Sequence, residues 1–447
     1  MRTPLVAALL FAGAASACSS PTDAPATPEL RLASSTVWAG SELLLHTTAP
    51  VGDSLELRLS VDTTLAPLVA RRVNDTTLAA RVRPELHGTV PLFLIYGGTP
   101  RPIGHVTVYG YESARIYEDV HLYDLLIDTA RPDVLVGADA VGNSGMVRIM
   151  FGSSAVQRFG GTGSFGFSGQ RGPGPTYRRG AYIGQRYLPE GSGSLQGVIW
   201  SFDPVPHIVD TFSLGIVPRQ IMQPSANVLV WTGAHRTTIS RKEGAGLPAT
   251  STSFQMEDPH GVYISPRGDR ATFKTVQVDG GMPVLDARTG DISYRVADLT
   301  SVDATSFSGD GELLAMAGSL YLQGPPRIKL LRAATGEILA ERELQAAAIA
   351  VGFDPNLPYL YVAVPRASAD PTVGKVWPTL LVLERATLTT VAELAVPESA
   401  PACGESPFCW GGAIGRSAEP AIYLATGHAG SLMTHRFAIP PGAFLPR

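Results

Sequence analysis

One short pattern recurs in the second half of the chain and constrains its fold more than any other feature. The segments "YISPRGDRATF", "SFSGDGELLAM" and "GFDPNLPYLYV" each read as an apolar strand, a tight polar turn and a second apolar strand. Their anchor residues Ser265, Ser308 and Asp354 lie about 43 and about 46 residues apart, which is the period of a repeated four-stranded sheet. The pattern therefore predicts consecutive sheets of similar design, each too small to bury both of its faces alone.

A second pattern repeats in step with the first. "DARTGDI" around Gly290 and "RAATGEI" around Gly336 read as strand–turn–strand corners about 46 residues apart, and "ERATLTT" around Thr387 echoes them. Weaker copies of the first pattern are centred near Asp128, Met222 and Arg416. The interval between the first two of these copies leaves room for one more sheet, so the sequence predicts seven sheets within residues 113–447.

These repeats resemble the seven-bladed β-propellers of the broad YVTN/quinoprotein-like and WD40-like group, whose blades carry a Ser-Pro-Asp-Gly turn. The resemblance covers roughly three quarters of the chain and implies a ring of blades without long free edges. Trp-Asp dipeptides are absent from the sequence, so the strict WD40 class is not assigned. A repeated turn of this kind is specific for a fold and says little about function.

Residues 29–112 have a different pattern, in which apolar and polar residues alternate along short segments. "SELLLHTT", "SLELRLSV" and "VPLFLIY" are typical of strands, and turn residues separate such segments every 8–12 residues or so. This part resembles the immunoglobulin-like modules that precede catalytic or binding domains in exported bacterial proteins, although it contains no cysteine pair. The expected fold is therefore all-β, with an N-terminal β-sandwich followed by a seven-bladed β-propeller.

A short apolar run opens the chain and indicates export. Residues 5–13 are apolar but too few to span a bilayer, and the small residues "ASA" at 15–17 have the pattern of a signal-peptide cleavage site. The signal peptide is therefore assigned to residues 1–17. The same residues followed by Cys18 also resemble a bacterial lipobox, although the first Ala stands where that motif prefers Leu. Residues 18–28 are rich in Pro, Ser and Thr and predict a flexible tether.

The three cysteines also indicate export. Cys403 and Cys409 are close enough in "CGESPFC" to bridge a small loop in an oxidising compartment, which leaves Cys18 without a partner. Lipidation gives that odd cysteine a use. We therefore expect a lipoprotein anchored to the membrane of the bacterial cell envelope, on its periplasmic side or at the cell surface.

Several classes of function lack support in the sequence. The net charge is −4 and no basic run is present, which argues against a nucleic-acid partner. The nine histidines form no HxH, HExxH or Cys/His cluster, so no metal site is expected. A formal G-x-G-x-x-G at Gly161, Gly163 and Gly166 continues into "FSGQRGPGPTYRRG", which cannot form the helix that a dinucleotide site needs. No cofactor is expected.

Three residues are the candidate binding site. His260 precedes the anchor Ser265 by five residues, Asp303 precedes Ser308 by the same interval, and Trp410 lies near the corresponding point of the last repeat. In propellers such positions line the mouth of the central channel, where a His–Asp pair could bind a polar ligand or support acid–base chemistry. The alternative is ordinary hydrogen bonding where a strand begins. A Gly-rich loop at residues 160–180, which carries aromatic and Arg residues, is a second candidate surface.

Two functions of different class remain open. The first is a non-catalytic, envelope-tethered binding or scaffold protein whose partner is an envelope protein or a glycan. The second is a propeller enzyme, such as a lyase, a lactonase-like hydrolase or a quinoprotein-type oxidoreductase. Catalysis needs several convergent ionisable groups, yet Ile349, Val217 and Tyr123 occupy the remaining equivalent positions. This pattern favours binding.

Overall fold

The computed structural model describes most of residues 29–440. The gaps within that range are 49–55, 62–63, 97, 119, 121, 129–130, 140–144, 160–168, 171–180, 188–194, 202–206, 215–219, 226–227, 233–235, 242–249, 258–260, 276, 321–323, 406–408, 410–411, 417–418 and 429–430. The described residues form 39 β-strands and one short 3-10 helix, Pro371–Val373. The prediction of an all-β fold is confirmed.

The first nine strands form two sheets. They are β1 (Leu30–Leu32), β2 (Thr36–Trp38), β3 (Glu42–Thr47), β4 (Glu56–Val61), β5 (Thr64–Pro67), β6 (Val69–Asn74), β7 (Thr77–Arg81), β8 (Gly88–Tyr96) and β9 (Thr99–Tyr109). One sheet has the order β1-β3-β7-β6 and the other has the order β2-β9-β8-β4-β5. Alternate residues of β3 and β4, such as Leu43, Leu45, Leu57 and Leu59, are buried in one hydrophobic cluster that both sheets share.

Thirty further strands follow. The first fifteen are β10 (Tyr111–Tyr117), β11 (Leu122–Asp128), β12 (Arg131–Asp139), β13 (Gly145–Met150), β14 (Val156–Phe159), β15 (Gly169–Gln170), β16 (Ala181–Tyr187), β17 (Leu195–Ser201), β18 (His207–Leu214), β19 (Gln220–Ser225), β20 (Val228–Thr232), β21 (Arg236–Arg241), β22 (Thr250–Glu257), β23 (Gly261–Ile264) and β24 (Arg270–Lys274). The others are β25 (Gln277–Val278), β26 (Met282–Asp286), β27 (Ile292–Val296), β28 (Ser301–Phe307), β29 (Leu313–Ser319), β30 (Arg327–Arg332), β31 (Ile338–Glu343), β32 (Ala350–Phe353), β33 (Tyr359–Ala367), β34 (Lys375–Glu384), β35 (Thr390–Ala395), β36 (Gly404–Glu405), β37 (Gly412–Arg416), β38 (Ala421–His428) and β39 (Ser431–Ala438).

Within the described residues these strands form seven antiparallel sheets of four or five strands. Six of the sheets are built on four strands in chain order, beginning at β11, β15, β19, β23, β28 and β32. The seventh combines β37, β38 and β39 with β10, so strands from both ends of this region pair in one sheet. Each sheet contacts the next along the chain, and the last contacts the first through β37, β11 and β12. The contact between the last sheet and the first closes the series of sheets, as in radial all-β folds.

The anchors of the repeated turn have the same role in three sheets. Ser265, Ser308 and Asp354 are buried directly after β23, β28 and β32. The Ser265 hydroxyl donates to an Asp269 carboxylate oxygen at 2.6 Å, and the Ser308 hydroxyl donates to Asp310 at 2.5 Å. The backbone N–H groups two and three residues further on donate to the carboxylate of Asp354, both at 2.9 Å. Short polar side chains, buried where the turn begins, therefore satisfy polar groups of the turn, which explains the residue choice.

The second pattern corresponds to the corner between the third and fourth strands. In three sheets the register shifts by one residue just before this corner, at Val284/Leu285, Leu330/Leu331 and Val382/Leu383. Gly290 and Gly336 both adopt φ of 76° in their corners, and Leu388 adopts a φ of 56° at the equivalent point. A positive φ costs a leucine energy, and burial of the Leu388 side chain in the core offsets that cost.

The first two sheets dock onto the sheet that begins with β32. The Arg81 guanidinium lies 3.0 Å from the Glu393 carboxylate, and the Ala395 N–H donates to the Pro84 carbonyl at 3.0 Å. A Cβ atom at Gly40 would lie 2.4 Å from the Glu393 carbonyl oxygen, so only glycine fits this approach. One hydrophobic cluster is continuous across the contact. The N-terminal sheets are therefore held against the others by packing as well as by the chain.

Candidate functional site

A cavity of about 200 Å³ lies where the first strands of four neighbouring sheets meet. Its wall includes residues 303–307 of β28, residues 349–353 at β32 and residues 412–416 of β37, together with Tyr263 and Ile264 of β23. Consecutive residues line the cavity, whereas a strand presenting one face would contribute every second residue. The edges of these strands therefore face the cavity. Backbone amides and carbonyls add polar groups to a wall whose side chains are mostly apolar.

Two hydrogen bonds between neighbouring sheets position the charged residues of this cavity. The Thr275 N–H donates to the Val302 carbonyl at 3.2 Å, and the Val302 N–H donates to the Thr275 carbonyl at 2.9 Å. This isolated bridge is antiparallel, so the residue before Thr275 and the residue after Val302, Lys274 and Asp303, lie at the same end of it, and the Lys274 charge acts on the Asp303 carboxyl. Both of these residues line the cavity. A cation and an anion are thus placed side by side by backbone geometry.

Asp303 is also the extra residue of a β-bulge. The register between β28 and β29 shifts between Val302 and Ala304, so Asp303 has no partner residue on β29. Bulges of this kind redirect a side chain out of the regular alternation. Burial raises the pKa of the Asp303 carboxyl above its usual range, and the positive charge of Lys274 opposes this effect.

The strand ends on the other side of the cavity contain a buried ion pair. The Arg416 Nε atom lies 3.2 Å from Asp354 Oδ2, and the two side chains are only 4% and 0% exposed. The Tyr361 hydroxyl donates a hydrogen bond to the same carboxylate oxygen. Burial, followed by the nearby charge of Asp354, raises the pKa of Tyr361 well above its usual value, so the phenol stays protonated as a donor. This group joins the sheets that begin at β32 and β37.

Of the three predicted binding residues, only Asp303 belongs to the part of the chain that the structure describes. Asp303 lines the cavity, as does Ile349 at the equivalent position. His260 and Trp410 lie outside the described residues. The residue after His260, Gly261, pairs with Lys274. The Gly-rich loop of residues 160–180 also lies outside the described residues, except for β15.

The predicted disulfide is confirmed. Cys403 and Cys409 are bonded, with their Cα atoms 5.2 Å apart, and Cys403 is fully buried. The Cys403 N–H donates to the Val376 carbonyl at 3.0 Å, which ties the loop to β34. The bridge therefore ties Cys409 to a residue that is hydrogen-bonded to β34. Cys18 lies outside the described residues, so its lipidation stays a prediction.

Sequence reasoning missed two charged residues of the cavity wall, Lys274 and Arg416, as site residues. Lys274 pairs with the first residue of its sheet, where the pairings of the next three sheets along the chain place Ser319, Ala363 and Thr426. A lysine among small residues at one repeat position was therefore the available signal. Alignment of the first strands alone does not reveal it.

Other features of the described residues can be stated briefly. Within that part of the chain, no cluster of three or more His, Cys, Asp or Glu side chains could hold a metal ion. None of its helices has the length and apolar character needed to cross a membrane.

Comparison with known proteins gives a likeness of fold. No family model matches the chain, and no curated protein matches it. A chain from a crystal structure of a mitotic checkpoint complex is 12% identical, with a TM-score of 0.49, over 74% of this chain and 92% of that chain. The β-propeller domain of Cps50 (Swd1) from Myceliophteria thermophila is 10% identical, with a TM-score of 0.46, over 73% and 99%. At these scores neither likeness carries an argument about function, and the chain is described as all-β from its own strand pairings.

Proposed function

We propose that this chain is an exported, envelope-anchored binding protein that recognises its partner with a seven-bladed propeller. The proposal divides the chain into a signal peptide (1–17), a tether (18–28), an immunoglobulin-like sandwich (29–112) and the propeller (113–447). Seven sheets that contact one another in a closed series support the propeller. Two sheets that share one core support the sandwich, which would act as a spacer.

The observation that carries a binding function is the character of the cavity wall. Its described ionisable side chains are Tyr263, Lys274, Asp303 and Arg416, and the last of these is paired with Asp354. One pair of neighbouring opposite charges in a mostly apolar cavity suits recognition, whereas acid–base catalysis needs further convergent groups. The raised pKa of Asp303 is the one observation that favours the alternative of a propeller enzyme.

The partner surface in this proposal is the face around His260, Asp303 and Trp410. A tryptophan and charged groups beside rigid strands make good anchors, because they lose little conformational freedom on binding. An envelope protein or a glycan is the proposed partner. Cys18, once lipidated, would hold the protein at the membrane, so Cys18→Ala should release it into the soluble fraction in detergent partitioning.

Capture from an envelope extract tests the function. The mature protein carrying a C-terminal tag should retain a specific partner, and the triple variant His260→Ala, Asp303→Ala, Trp410→Ala should lose it. A matched control changes three exposed residues of the N-terminal sheets to Ala, namely Val69, Arg72 and Asp75. Thermal melting establishes that both variants are folded. Full capture by a folded triple variant would contradict the proposed surface, and the loop of residues 160–180 would be tested next.

A further inference from the structure

The wall of the cavity is mostly apolar, and its charged side chains are Lys274, Asp303 and Arg416, the last of which is paired with Asp354. Lys274 and Asp303, beside the bridge between Thr275 and Val302, supply one positive and one negative group on adjacent strands. Around them the wall is formed by aliphatic and aromatic side chains, among them Ile349, Val351 and Ile414. A ligand that fits such a wall combines a small polar head with an apolar body.

The charges of the pair limit the head further. The two charges lie beside one antiparallel bridge, where neighbouring side chains of the two strands are roughly 5–8 Å apart. An α-amino acid carries its ammonium and its carboxylate on one carbon, so both can be met at once, the ammonium by Asp303 and the carboxylate by Lys274. The two charges of the ligand then alternate with the charges of Lys274 and Asp303. A doubly charged anion such as phosphate would instead be repelled by the Asp303 carboxylate.

The size of the cavity agrees with a small ligand. Pockets for drug-sized ligands span roughly 300–1,000 Å³, and this cavity measures about 200 Å³. We propose that the cavity binds a free apolar α-amino acid, with its zwitterionic head at Lys274 and Asp303 and its side chain against the apolar wall. This inference rests on the binding function proposed above and names a ligand for the same site.

Titration calorimetry on the folded, lipid-free protein (Cys18→Ala) tests the inference with leucine, phenylalanine and glycine as probes. The matched single-charge compounds are isopentylamine and 4-methylpentanoate, which each keep the leucine side chain and one charge. Leucine or phenylalanine should bind at least about 10-fold more tightly than glycine, because of the apolar wall. Leucine and phenylalanine should also bind at least about 10-fold more tightly than isopentylamine or 4-methylpentanoate.

Variants assign the two charges separately. Asp303→Asn should weaken binding of the amino acid and of the amine by about 10-fold or more and leave binding of the acid unaffected. Lys274→Met should weaken binding of the amino acid and of the acid by about 10-fold or more and leave binding of the amine unaffected. The control variants Asp75→Asn and Arg72→Met remove exposed charges of the N-terminal sheets and should leave affinity unchanged. Equal binding of leucine and its single-charge analogues, or full binding by folded Asp303→Asn and Lys274→Met variants, overturns the inference.

The two proposals fail in distinguishable ways. Partner capture by a protein that binds none of the five probes overturns the amino-acid site and leaves the proposed binding function standing. Amino-acid binding that depends on both charges, in a protein that captures no partner, supports this site and removes the proposed partner surface.

Discussion

Removing one partner of the buried ion pair between Asp354 and Arg416 should lower the free energy of unfolding by several kcal/mol, about 3–5 kcal/mol. Their side chains are 0% and 4% exposed, and the Nε–Oδ2 distance is 3.2 Å. Asp354→Asn has nearly the same volume and keeps the oxygen that accepts the Asn356 and Leu357 N–H groups at 2.9 Å. The substitution therefore removes the charge while preserving the turn.

The magnitude follows from burial. Removing one partner of a buried ion pair costs about 3–5 kcal/mol, because the other charge stays buried without its counter-ion. In the asparagine variant an amide nitrogen, which is a donor, stands where Oδ2 accepts from Tyr361, so that hydrogen bond is lost as well. These two effects overlap, so we expect Asp354→Asn to lower the free energy of unfolding by about 3–5 kcal/mol in total.

A double-mutant cycle in urea separates charge pairing from packing. Arg416→Met alone should also destabilise the protein, whereas the double variant should recover at least about 2 kcal/mol of the summed losses. Glu42→Gln, which breaks the exposed pair with Arg71, is the matched control and should cost less than about 1 kcal/mol. Additive losses in the double variant, or an Asp354→Asn protein as stable as wild type, would refute the assignment of a coupled buried pair.

Three further predictions concern Asp303 of the cavity wall, the close approach at Gly318 and the disulfide. Asp303→Asn should raise the melting temperature at pH 7, because burial raises the pKa of the Asp303 carboxyl and its ionised form therefore costs stability. The substitution should make no difference near pH 3, where the carboxyl is protonated. A lower melting temperature of the variant at pH 7 would contradict this. Gly318→Ala should cost about 1–3 kcal/mol in chemical denaturation, since its Cβ would lie 1.9 Å from the Ser301 carbonyl oxygen, and an unchanged midpoint would show that this contact relaxes freely. Replacing Cys403 and Cys409 by Ser should cost about 2 kcal/mol in the same assay, and equal stability of the oxidised wild type and the variant would remove the structural role of the bridge.

The sequence was informative about the fold where local geometry limits the choice of residue. The first residue of the turn after β23, β28 and β32 is buried, and short polar side chains there, Ser265, Ser308 and Asp354, bond the polar groups of the turn. That residue choice recurs in these three copies and is visible without a structure. The corner at Leu388 was harder to recognise, because tertiary packing of its side chain replaces the glycine found at Gly290 and Gly336.

The candidate site was only partly predictable, because its geometry comes from pairing between sheets. Asp303 could be found from its spacing to the anchor Ser308. Its neighbour Lys274 belongs to the preceding sheet and is brought alongside by the bridge between Thr275 and Val302. A contact of that kind has no periodic signature in the sequence. The ion pair between Arg416 and Asp354 has no such signature either, because the repeat indicates Asp354 only as a turn residue.

Hydrogen–deuterium exchange of the mature protein, with and without the captured partner, tests the central claim most directly. If the partner binds at the cavity mouth, protection should concentrate in peptides that contain Gly261, Lys274, residues 301–305 and Gly412, which come from four separate strands. The exposed edge strand β6 should exchange at the same rate in both states. Protection confined to β6 or to the outer strands of the sheets, with unchanged exchange around Asp303, would contradict the account.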